Sequence, residues 1–146
     1  MKRWEAWWNH AALSAVSLTG IVYGVFKYWV PSPDPDSRAG HPMQPGFMKA
    51  HLLLAPFAIL GVGLLLRRHA LARLTRGEQN GRRSGLTMLW IFLPLVLTGY
   101  LVQVFIGPGA VHAAGWTHAV LGLFFALGYV FHPKRRSAPP INGDDF

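Results

Sequence analysis

Apolar positions along this chain gather into four long runs, at residues 7–30, 47–66, 86–106 and 110–131, with polar stretches between them. Each run is near the ~20 residues a helix needs to cross a bilayer and far longer than a strand. A helix also satisfies its own backbone hydrogen bonds inside lipid. The pattern predicts an all-α, integral-membrane four-helix bundle over residues 1–136, followed by a polar, proline-containing tail at 137–146 that is expected to be disordered. The second run is the least regular, because Lys49 and His51 interrupt its start.

The segments between the runs are chemically distinct. Residues 31–46 hold five prolines with Ser32, Asp34, Asp36 and Gly40, a composition that prevents regular structure. Residues 67–85 are strongly basic and contain Gly77, Gly81 and Gly85, and only a short turn at 107–109 joins the last two runs. Pro56 and Pro94 fall inside the second and third runs and are expected to bend them. In the first run His10 is followed at helical spacing by Ser14, Ser17 and Gly24, with Gly20 close to the same stripe. Such a face suits close helix packing or the edge of a flat macrocycle.

Composition supports the membrane reading. Hydrophobic residues make up 51% of the 146, more than soluble domains of this size carry. The formal charge of +8 could suggest nucleic acid, but its placement follows topology instead. Lys2 and Arg3, then Arg67, Arg68, Arg73, Arg76, Arg82 and Arg83, then Lys134, Arg135 and Arg136 all fall on one side if the helices alternate in direction. The opposite connections hold Arg38 and Lys49 against Asp34 and Asp36. The positive-inside rule therefore predicts that both termini are cytoplasmic. The chain has no cysteine, which excludes disulfides, thiolate ligands, covalently attached haem and iron–sulfur clusters held by this chain alone. The first run is too long for the apolar part of a secretory signal and is expected to be retained as a helix.

Candidate chemistry rests on histidine. In the fourth run His118 and His132 lie fourteen residues apart, about 21 Å along a helix and roughly 40° around it, so they point in similar directions at two depths. His51, early in an inward-running second helix, shares the outer level with His118. His10, early in an outward-running first helix, shares the inner level with His132. Each pair could clamp one iron from both sides, and a four-helix core offers facing imidazoles with apolar walls for a planar haem b. Two axial histidines leave no open coordination position, so such an iron transfers electrons and does not bind substrate. The plainer alternatives for any one of these residues are a hydrogen-bonded packing histidine or a step in a proton relay. His112, six residues before His118 and turned about 120° from it, is a possible replacement for His118 as the outer ligand. His41 in the proline-rich loop is expected to face solvent, and His69 among arginines to be solvated. Helix three carries no histidine and is expected to be a structural wall, with Gln103 packing near its outer end.

This arrangement, His10 in the first helix, His51 in the second and His118 with His132 in the fourth, resembles the membrane cytochrome b subunits of respiratory formate dehydrogenases and nickel–iron hydrogenases. It is similar also to the wider bacterial dihaem cytochrome b group. The resemblance implies two bis-histidine haem b groups, a bacterial plasma-membrane location, and electron transfer across the bilayer. The partners it implies are an outer-side redox protein, such as a c-type cytochrome or a metalloenzyme subunit, and a quinone pool. A quinone site is then expected near His132, His10 and Asn9. The competing expectation is a cofactor-free membrane anchor or assembly subunit. A small transporter with a histidine relay is weaker, because intramembrane carboxylates and an inverted repeat are missing.

Overall fold

A computed structural model describes residues 3–34, 40–67 and 82–131. His69, the basic stretch 68–81, His132 and the tail 137–146 lie outside the described residues. Within them the chain forms four helices and no strand: α1 (Arg3–Tyr28), α2 (Gln44–Leu65), α3 (Arg82–Val104) and α4 (Pro108–Phe131). Each is long and apolar enough to span a membrane.

The boundaries differ from the apolar runs in a consistent way: every helix begins two to four residues early. Pro45 in the first turn of α2 and Pro108 at the start of α4 have φ preset for helix and a missing N–H that is not needed there. At the start of α1, Arg3 and Glu5 extend the helix beyond the apolar run. Helix α1 stops at Tyr28, short of Pro31, whose ring disfavours helical backbone in the residue before it. Helices α2 and α3 continue through Pro56 and Pro94, each at the cost of one backbone hydrogen bond.

Packing is by hairpins. Helix α1 lies against α2 and α3 against α4, with a lighter contact joining α1 to α4. Both hairpins are antiparallel. Asn9 early in α1 meets Gly61 late in α2, and Gly20 later in α1 meets His51 early in α2. Likewise Met88 meets Gly128, and Gly99 meets His118. The core is small, with Ala12, Leu13, Ala58 and Phe125 buried and Val16, Val62, Met88, Ile91, Phe92, Leu95 and Tyr129 packed around them. Outside it, large apolar side chains such as Leu53, Trp90 and Val130 stand exposed along all four helices. A surface this apolar needs a non-aqueous surround, so the bundle presents its greasy faces to lipid.

The packed face of α1 is not the small-residue stripe below His10. It runs through Glu5, Asn9, Ala12, Leu13, Val16 and Gly20, and Ser14 is exposed. Nothing approaches the place a side chain on Gly24 would take. His10 consequently faces away from α2.

Candidate histidine site

The two histidines expected at the outer level meet. His51 on α2 and His118 on α4 are both half-buried, with ring centroids 6.0 Å apart and planes 79° to one another. They form the one ring contact between α2 and α4 among the described residues.

Each ring is held in the same way by the other helix of its hairpin. His51 Nδ1 lies 2.9 Å from the Val16 carbonyl oxygen and 3.4 Å from Thr19 Oγ1. His118 Nδ1 lies 3.0 Å from the Leu95 carbonyl oxygen and 3.4 Å from Thr98 Oγ1. A carbonyl oxygen only accepts, so each Nδ1 carries the proton and donates it. Each Nε2 is then an unprotonated lone-pair donor, and neither has a hydrogen-bond partner among the described residues. That is the state of a histidine ready to ligate a metal, oriented from behind by a backbone carbonyl.

Glycine makes the approach possible. A Cβ on Gly20 would stand 2.9 Å from His51 Cε1, and one on Gly99 would stand 3.0 Å from His118 Cε1. Any side chain there would push the ring away from the carbonyl that orients it. Helix α3, expected to be only a wall, supplies Leu95, Thr98 and Gly99 to this site. Gln103 turns back on its own helix, donating to the Gly99 carbonyl at 3.2 Å.

His112 stands apart from the pair. It is exposed, and its Nε2 accepts the Trp116 indole N–H at 2.6 Å, which occupies the nitrogen a metal would use. His41 does not simply face solvent. It is half-buried, its ring stacks on Phe26 at 4.4 Å, and its Nδ1 accepts the Met43 backbone N–H. The Tyr28 ring packs at a tilt against Trp116, centroids 4.8 Å apart, and ties α1 to α4 at the same end.

Of the two histidines expected at the inner level, the described residues contain one. His10 is exposed on α1, about 15 Å along the helix from Gly20. Its Nδ1 is hydrogen-bonded to the Tyr129 hydroxyl in the last described turn of α4. Asn9 is buried and donates to the Glu5 carbonyl at 2.8 Å, while its Oδ1 has no hydrogen-bond partner among the described residues. A groove of about 580 Å³ opens nearby on the outside of α1 and α2, lined by Trp4, Trp8, Ile59, Leu60, Gly63 and Leu64. Asn9 is not among the residues that line it.

The residues that sequence reasoning passed over are Thr19, Thr98 and Tyr129. A signal for the first two was present: the tripeptide Leu-Thr-Gly occurs at 18–20 and again at 97–99. No family model, no curated protein and no solved structure matches this chain.

Proposed function

We propose that this chain is a membrane electron-transfer subunit holding two haem b groups. His51 and His118 would hold the iron of the outer haem, and His10 and His132 that of the inner one. The observation that carries this reading is the His51–His118 pair: two imidazoles from different hairpins, each with Nδ1–H tied to a carbonyl and with no hydrogen bond to Nε2 among the described residues. That donor set fits a metal bound by two neutral imidazoles. It does not fit a proton relay as well, because each Nδ1–H is directed back to a helix carbonyl and not to the other ring. When bound, haem held by two histidines would supply one-electron uptake and release.

The chain's own residues set the conditions. Gly20 and Gly99 let the rings reach their carbonyls, and the apolar core around Val16 and Leu95 keeps the surroundings dry. At the inner level Tyr129 holds His10 against the end of α4. The basic clusters support a cytoplasmic location for both termini in a bacterial plasma membrane, which puts the His51–His118 level toward the outer side. Electrons would pass between an outer redox protein, a c-type cytochrome or a metalloenzyme subunit, and a quinone or another carrier within.

One observation favours a second reading. His51 and His118 already touch edge to face, so they could close the bundle as a cofactor-free anchor for a catalytic partner. A reduced-minus-oxidised spectrum of the purified chain separates the two. The electron-transfer reading expects a sharp α-band and about two haems per chain. A chain free of haem, whose His118→Ala variant still assembles, would establish the anchor instead.

A further inference from the structure

The two hairpins are one arrangement built twice. A shift of 79 residues carries Asn9, Val16, Thr19 and Gly20 of α1 onto Met88, Leu95, Thr98 and Gly99 of α3. A shift of 67 carries His51, Leu54, Phe57, Leu60 and Gly61 of α2 onto His118, Leu121, Phe124, Leu127 and Gly128 of α4. The contacts repeat with the residues: Gly20 on His51 and Gly99 on His118, then Gly61 on Asn9 and Gly128 on Met88. His10 has no counterpart, since the shift places Leu89 there. What the repeat preserves is the surroundings of the histidine pair.

The threonines are the part of that repeat with a specific chemical consequence. Thr19 Oγ1 donates its single proton to the Ala15 and Val16 carbonyls, at 2.8 and 3.1 Å. Thr98 Oγ1 does the same to Pro94 and Leu95, at 2.7 and 3.0 Å. With its proton committed to its own helix, each hydroxyl has only lone pairs left for the imidazole nitrogen 3.4 Å away. Nδ1 of each histidine therefore faces two acceptors, a carbonyl and a hydroxyl oxygen. An unprotonated Nδ1 would meet lone pairs on both sides, whereas an Nδ1–H satisfies both. We propose that Thr19 and Thr98 are matched positioning residues that lock His51 and His118 in the Nδ1–H form, so that each presents a bare Nε2 as a ligand atom. The locking itself follows from the hydrogen bonds; its use in metal ligation rests on the electron-transfer reading above.

The test has one arm for each of these. The first is ¹⁵N NMR of the haem-free, histidine-labelled full chain in lipid bilayers, in the wild type, in Thr19→Val with Thr98→Val, and in Thr19→Ser with Thr98→Ser. The wild type and the serine variant are expected to show single Nδ1-protonated signals for His51 and His118, identified by their loss in His51→Ala and His118→Ala. The valine variant, which keeps the shape and removes the oxygen, is expected to show a second, Nε2-protonated population. Nε2–H histidines in the wild type, or an unmixed Nδ1–H form in the valine variant, would overturn the proposal. The second arm is haem titration and redox potentiometry of the same chains. The valine variant is expected to bind the outer haem at least about tenfold more weakly, as loss of a ligand's outer partner typically does. Its potential should rise, because a less basic imidazole stabilises the oxidised iron less, and serine should restore both. Haem-binding chains whose valine variant matches wild type in affinity and potential would overturn the role in ligation. If no chain binds haem while the tautomer result holds, it is the electron-transfer reading that fails.

Discussion

At the scale of single residues, the site depends on two absent side chains. Gly20→Ala or Gly99→Ala would set a methyl about 3 Å from an imidazole carbon, tighter than carbon atoms normally approach. The ring must then shift from the position in which the carbonyl orients it. Each variant is expected to lose at least tenfold in affinity for the outer haem, measured by haem titration of the purified chain. His112 gives the opposite expectation. Its Nε2 is already engaged by Trp116, so His112→Ala should leave haem content and the reduced spectrum unchanged. A halved haem content in that variant would make His112 the outer ligand in place of His118. The meeting of His51 with His118 was legible from the order and direction of the helices, which set both residues at one depth. The part that the threonines and glycines play at the site was not legible. What they hold is a ring on another helix, and no periodicity within one helix reveals which residue of its neighbour lies opposite.

At the scale of elements, the four runs of apolar residues foretold four helices, and the apolar pattern erred mainly at the helix starts. Hydropathy marks where lipid begins. Helix continues into the interface wherever a proline preset for the first turn or polar side chains allow it, as at Pro45, Pro108 and Arg3 to Glu5. Which face of α1 is buried was not legible, since the small-residue stripe below His10 and the true stripe through Asn9 and Gly20 are both short of bulky groups. In the α1–α2 hairpin the tightest inner contact is Gly61 against Asn9, where a Cβ would meet Oδ1 at 2.7 Å. Gly61→Ala should therefore destabilise the hairpin by about 1–3 kcal/mol, the usual cost of overpacking a closed site. Gly63→Ala, two residues on with open space beside it, should not. Unfolding of both variants in mixed micelles gives the comparison.

At the scale of the whole molecule, contacts within each hairpin far outweigh those between them, and the histidine pair sits where the hairpins meet. Residues 1–75 and 76–146 expressed as two chains should each insert into the membrane and together recover the outer haem, whereas neither alone should bind it. Recovery is read as spectrum and haem content after co-purification. Orientation can be read on the same protein, because a chain without cysteine accepts single reporter cysteines cleanly. Cysteines at positions 2, 75 and 140 are expected to react only from the cytoplasmic side, and those at 36 and 107 only from outside. Labelling of position 36 from the cytoplasm would reverse the assignment drawn from the basic clusters.

The central claim, that His51 and His118 grip one iron between them, is tested most directly by low-temperature electron paramagnetic resonance of the oxidised, purified chain. Two imidazoles with planes 79° apart predict a strongly anisotropic low-spin ferric signal. That signal should disappear in His51→Ala and in His118→Ala while the inner haem's signal persists. A signal that survives both substitutions, or a wild-type chain with no haem at all, would contradict it.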